Sequence, residues 1–303
     1  MSVAEVVITG IGVAVRMASD GEGWFDVRTR LGPRGYKYLP ASCHYLLAAA
    51  RDAVADGGGL DHAPPEARAA VVGSTVGLGP LYREIEQAAL AGDGHQVSPA
   101  SAPFFAVNAI AGRLAADLMV KGFTMTTTSP GVGGLEAVAA AGRALALGRC
   151  DVALAGATEH ARAGGQGAAV LVCERRPEAL ARGAHVYGSC RVRTAFGPPR
   201  LVAEPTGARR LAAELDELLD QLAVSPDVPV SVMCDDSAVG SAVARRFPEA
   251  RWEPPDSRDG CLRPVLGIAA PLAAGRQQLV VTATTVGNIA LAHVVADTGV
   301  GTC

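Results

Sequence analysis

The sharpest change of hydrophobic period along the chain falls between Thr124 and Leu145. Thr124, Thr126, Thr127 and Thr128 are β-branched, and their restricted χ1 suits an extended, pleated backbone, so Thr124–Thr128 reads as a strand. Ser129 and Pro130 end it, Gly131 stands at the turn, and Leu135, Val138, Ala139, Gly142 and Leu145 then recur at helical spacing. Most other positions in that helix are Ala or Gly, which predicts close packing on both sides and deep burial. A strand, a tight turn and a buried helix present one side chain at the positive end of a helix, where an anion or thiolate is stabilised. Gly131 has no side chain to present.

The alternation of strands and helices recurs along the chain, as expected of α/β layers. Asp151–Glu159 and Ala168–Glu174 read as strands closing a first half, and the segment Val186–Phe196 leads into a second, with the division expected at 1–177 and 178–303. Thr206–Ala223 carries Leu211, Leu215, Leu218, Leu219 and Leu222 on one stripe with acidic residues opposite, an amphipathic helix ended by Pro226. Shorter helices are expected over Ala238–Phe247 and Leu262–Gly275, the latter tolerating Pro264 near its start and Pro271 as a kink. The uncharged stretch Gln277–Ala296 is long enough to mimic a membrane span, but its threonines, Gly287, Asn288 and His293 predict two strands joined at the Val286-Gly-Asn turn.

Composition narrows the classes. With 303 residues, 49% hydrophobic and only 19% charged, the chain buries a large core and has apolar surface to spare for a partner. A net charge of -3 and the lack of a Lys/Arg cluster on any predicted face exclude electrostatic binding to nucleic acid or anionic membrane. Met1–Val15 has no basic segment before its apolar stretch, so a cytoplasmic protein is expected. Seven cysteines without a C-x-x-C pair fit reduced, buried thiols, with neither a disulfide framework nor a zinc site. The six histidines show no ligand spacing, and no cofactor is expected. Gly10-Ile-Gly12 could suggest dinucleotide binding, but Val15 occupies the third glycine position and no acidic residue follows at the required distance. Gly73–Gly77 lacks the central-serine spacing of a hydrolase nucleophile elbow.

The run Ser129-Pro-Gly-Val-Gly-Gly-Leu-Glu-Ala resembles the active-site turn of the β-ketoacyl synthases of the thiolase-like superfamily, with Gly131 where their acyl-accepting cysteine sits. Its G-G-L-E-A ending is closest to the chain length factors, the non-catalytic partner subunits of type II polyketide ketosynthases. Supporting pieces follow in order: Val6–Gly12 is similar to the family's first strand, Val71–Gly77 to its second, Cys150–Glu159 to the strand after the nucleophile helix and Gly167–Glu174 to the next. In Val230–Ser237 the place of the first catalytic histidine falls to Asp235, and in Gly260–Gly267 that of the second falls to Cys261. The usual lysine corresponds to Asp256, and Thr285–Ala292 is similar to the glycine-rich turn between the last two strands. The resemblance spans nearly the whole chain, which is shorter than ordinary family members.

The resemblance implies a five-layered αβαβα fold built from two similar halves. Decarboxylative condensation needs a thiolate to accept the acyl group and neutral imidazoles where the enolate charge develops. Gly131, Asp235 and Cys261 supply neither. The implied function is a subunit that is not an enzyme alone, pairs with a catalytic ketosynthase, meets acyl carrier protein through the complex, and shapes the tunnel for a growing polyketide or polyene chain. Phe104, Phe105, Ala109 and Gly112 are the tunnel candidates, with Phe105, Ala109 and Gly112 expected on one helix face. Thr124, Met125, Thr126, Thr127 and Thr128 would pair with the partner's strand and continue its sheet. Two alternatives stand beside this one: an acyltransferase or hydrolase using Cys234, Asp235 or Cys261, and a purely structural stabiliser of a ketosynthase.

Overall fold

The computed structural model describes residues 5–21, 23–161, 165–253 and 260–297. In chain order these form β1 (Val6–Val15), α1 (Val27–Leu31), α2 (Ala41–Asp56), β2 (Arg68–Gly73), α3 (Gly79–Leu90), α4 (Ala109–Asp117), β3 (Thr124–Thr127), α5 (Gly133–Ala146), β4 (Val152–His160) and β5 (Gln166–Arg175). They continue as α6 (Arg176–Ala181), β6 (Gly188–Phe196), α7 (Pro199–Val202), α8 (Pro205–Leu222), β7 (Val230–Cys234), α9 (Ala238–Arg246), β8 (Arg251–Trp252), α10 (Leu262–Ala273), β9 (Gln278–Ala283) and β10 (Asn288–Ala296).

The ten strands repeat one pattern twice. Counted from the outer edge, the first five run β3-β2-β4-β5-β1 and the last five β8-β7-β9-β10-β6, the same order by position within each set. The senses repeat as well: β2 is parallel to β3 and β4, β7 is parallel to β8 and β9, and the remaining pairs within each set are antiparallel. The two sets meet only where Val7 and Ile8 of β1 pair with Ser189 and Gly188 of β6.

Helices α5 and α10 lie between the two sets and touch strands of both, α5 against β2, β4 and β6, and α10 against β4, β5, β9 and β10. This middle layer is why α5 is Ala- and Gly-rich: Leu135, Ala137, Ala141 and Leu145 are fully buried because apolar neighbours lie on both sides. A Cβ on Gly134 would stand 2.3 Å from the Cys261 carbonyl oxygen and 2.6 Å from Val265 Cγ2, so only glycine permits this approach of α5 to α10. Helices α2 and α4 cover the outer face of the first set, and α8 and α9 that of the second. The result is five layers, αβαβα.

The α8 stripe is as expected, with Leu211, Leu215, Leu218 and Leu222 buried and Leu219 packed at the margin of the same core. Helix α10 accommodates both prolines, Pro264 in the first turn, where its missing N–H has no partner to lose, and Pro271 in the last. The expected turn between β9 and β10 closes with Gly287 in the left-handed region at φ +102°. One local expectation fails. Phe104 and Phe105 belong to a separate 3₁₀ segment, Pro99–Phe105, and extended Ala106 breaks the chain before α4 starts at Ala109. Phe105, Ala109 and Gly112 are therefore not one helix face. Pro99 and Pro103 cannot donate to an α-helical ladder, which favours short 3₁₀ turns here. No helix of the described residues is long and apolar enough to cross a membrane.

Candidate functional site

The turn after β3 sits at the carboxyl ends of the parallel strands β2, β3 and β4, where open α/β sheets place their ligand sites. Gly131 adopts φ +68°, a conformation that costs most other residues on the order of 1–3 kcal/mol. A Cβ at Gly131 would lie 2.3 Å from Thr284 Cγ2, far inside van der Waals contact. The turn is held by hydrogen bonds from Val132 N to Pro130 O (2.8 Å), Gly133 N to Ser129 O (2.9 Å) and Thr127 Oγ1 to Gly133 O (2.6 Å). Asn288 Nδ2 reaches Pro130 O from the β9–β10 turn at 3.5 Å. A side chain at position 131 would thus meet both the Thr284 methyl and a left-handed backbone.

Asp235 directly follows β7, and its carboxylate accepts from Ser237 N and from Thr285 N, each at 3.1 Å. It ties the end of β7 to the β9–β10 turn instead of facing a reacting group. Cys261, at the N-terminal boundary of α10, is completely buried, and both its N–H and its thiol donate to Glu159 Oε1 at 3.1 Å. Burial, and then the neighbouring carboxylate, push that thiol well above its ordinary pKa, so it stays protonated. Cys234 donates to Gly240 O at 3.5 Å and is pushed up to about 12 by burial, with Asp235 adding to the shift. Asp256 lies outside the described residues.

Glu159 is the central group that the sequence analysis did not single out. It ends β4 with only 1% of its surface exposed, and besides Cys261 it accepts from Thr75 N and Val76 N, both at 2.9 Å. Burial raises its pKa, while the three backbone N–H groups and the Cys261 thiol oppose that rise. One carboxylate thereby ties the loop after β2 to the start of α10. Its only signal in the sequence is an acidic residue at the end of the otherwise uncharged stretch Val152–Thr158.

The remaining candidates separate. Phe104 is buried in the outer core with Ile110 and Leu114, whereas Phe105 is 59% exposed. Ala109 is half-buried, and Gly112 faces open space with nothing within 4 Å of a Cβ built on it. Thr124, Met125, Thr126 and Thr127 form β3, and Thr128 lies just past its end. Among the described residues, strand β3 is bonded on one side only, to β2. Phe123 O and Thr127 O accept from β2, which turns the backbone groups of Thr124 and Thr126 outward.

A family model, that of the β-ketoacyl synthase N-terminal domain, matches residues 15–171, more than half of the chain. No curated protein matches the chain. Among solved structures the chain is similar to a type II polyketide acyl carrier protein in complex with its ketosynthase bound to the hexaketide (AntDE:AntF), at 18% identity and TM-score 0.74, covering 96% of this chain and 99% of that one. It is similar to the ishigamide ketosynthase/chain length factor at 22% identity and TM-score 0.73, covering 95% and 98%. A β-ketoacyl synthase from Burkholderia phymatum superposes at 16% identity and TM-score 0.75, covering 97% and 100%. The five-layered architecture is therefore the thiolase-like fold.

Proposed function

The chain belongs to the β-ketoacyl synthase family, and on that premise we propose that it is a chain length factor-like subunit: not an enzyme alone, but the partner of an active ketosynthase whose product tunnel it helps to shape. The observation that carries this is the Gly131 turn, which has no acyl acceptor and, with Thr284 packed against it, no space for one. The positions corresponding to the two histidines support it, since Asp235 and Cys261 are each engaged in holding loops together. A negative carboxylate and a neutral, buried thiol are both wrong for stabilising an enolate.

The free edge of β3 supports the pairing. In the uncharged strand T-M-T-T, Thr124 and Thr126 present outward N–H and C=O groups, whereas the other outer strand, β8, is two residues long, begins with Arg251 and is followed by Glu253. Short, charged edges resist strand addition and uncharged ones invite it. The ishigamide structure is of a ketosynthase with a chain length factor, and the AntDE:AntF structure includes an acyl carrier protein; the corresponding partners are proposed here. Phe105, Ala109 and Gly112 would meet the tunnel, Phe104 being occupied in the core.

The test is co-expression with an intact type II ketosynthase and its acyl carrier protein. A heterodimer on size exclusion, and polyketide formation that requires both subunits, are expected. Ala109→Phe or Gly112→Phe is expected to shorten the product while the heterodimer still assembles. Unchanged product length with normal assembly would remove those residues from the tunnel. Turnover of acyl thioesters by this chain alone would overturn the non-catalytic role.

A further inference from the structure

A half-open cavity of about 340 Å³ lies between the segment after β1 and the first turns of α2, and shares no residue with the Gly131 turn. The chain is only 4% aromatic, yet three rings meet here. Trp24 and Phe25 contact each other and Tyr45 with centroid separations of 5.4, 4.9 and 5.0 Å. Trp24 and Phe25 pack on the outer core but stay partly exposed at the cavity wall, so part of their surface is left for something else to cover.

The polar groups of the same cavity have a definite sense. Arg16 is the one charged residue lining it, has no ion-pair partner among the described residues, and carries its charge close enough to affect the Tyr45 phenol. Among the described residues its Nη2 reaches the Asp20 carbonyl, at 3.4 Å. His44 Nε2 is 2.8 Å from the Tyr36 carbonyl, which can only accept, so Nε2 carries the proton and Nδ1 of the neutral ring is an acceptor. Gln166 donates its Nε2 to Ala161 O at 3.2 Å, which leaves its Oε1 also available to accept. A fixed cation beside aromatic faces, with two acceptors and no carboxylate among the described residues of the wall, selects a flat ring that carries a negative group and a donor.

We propose that this cavity binds a small aryl carboxylate, its ring against Trp24 and Phe25, its carboxylate on Arg16, and a ring hydroxyl toward His44 or Gln166. The site is independent of the partner reading above. The chain has two tryptophans, so Trp252→Phe leaves Trp24 as the sole indole reporter. Titrating 4-hydroxybenzoate into that variant is expected to give saturable quenching at millimolar or lower concentration, with 4-hydroxybenzamide and cyclohexanecarboxylate each binding more weakly. Arg16→Gln is expected to weaken 4-hydroxybenzoate at least tenfold, about 1.4 kcal/mol, and Arg16→Lys, which keeps the charge, to weaken it less. Calorimetry on the unsubstituted protein gives the same comparison should Trp252→Phe fold poorly. No saturable binding, equal affinity for the amide, or no effect of Arg16→Gln would each overturn the assignment.

Discussion

At Gly131 two independent constraints coincide, a backbone in the left-handed region and a threonine methyl where a Cβ would stand. Placing cysteine at this turn should therefore not by itself create a working nucleophile. Gly131→Cys is expected to lower stability by about 1–3 kcal/mol, and adding Thr284→Ser, which removes the obstructing methyl, to recover part of that loss; chemical denaturation of the two variants measures both. Two buried carboxylates respond to pH in opposite directions. Burial raises the Glu174 pKa, but hydrogen bonds from Arg182 and Thr9, with the charges of Arg182 and His62, outweigh it and leave it below 4.5. Its ionised form thus contributes stability that is present above pH 4.5 and lost as pH falls through the lower folded value. Glu159, shifted up from 4.5, contributes stability that is present below that pH and lost on the way up. Melts from neutral pH downward should show this: the gap to Glu159→Gln is expected to shift in favour of the natural protein as pH falls toward 4.5, and the gap to Glu174→Gln to narrow as pH falls further below 4.5. Parallel melting curves across that range would reject the sign assigned to both.

Elements in this chain are decided largely by local chemistry. The β-branched run of β3, the small-residue helix α5 and the leucine stripe of α8 formed as their periodicity predicts, because each pattern fits one environment: an edge, a middle layer and an outer face. The segment before α4 did not follow, and its prolines at 99 and 103 were the legible warning. Strand β3 also carries an element-scale prediction. Thr126 turns its N–H away from β2, so Thr126→Pro leaves the internal ladder intact while removing a donor from the free edge. The variant is expected to fold, with an unchanged circular dichroism spectrum, and to elute apart from the ketosynthase on size exclusion. Retained co-elution would show that pairing does not use this edge.

Across the whole molecule, the two strand sets share a single core, because α5 and α10 each pack against strands of both. Neither set can keep its inner face buried once the other leaves, which predicts one cooperative transition. Trp24 reports on the first set and Trp252, in β8, on the second, so Trp24→Phe and Trp252→Phe single-tryptophan proteins are expected to melt at the same temperature after correction for each substitution. Two separated transitions would mean that the halves unfold independently. The sequence by itself determined the alternation of strands and helices, the burial of α5 and which side chains stand at positions 131, 235 and 261, since periodicity and side-chain chemistry are local properties. Only the tertiary structure decided that Thr284 fills the Gly131 turn, that Glu159 ties the β2 loop to Cys261, and that Arg16 meets three aromatic rings at one cavity. Those contacts join residues more than 80 positions apart, or depend on how separate loops come to rest on one another, and no period in the chain encodes them.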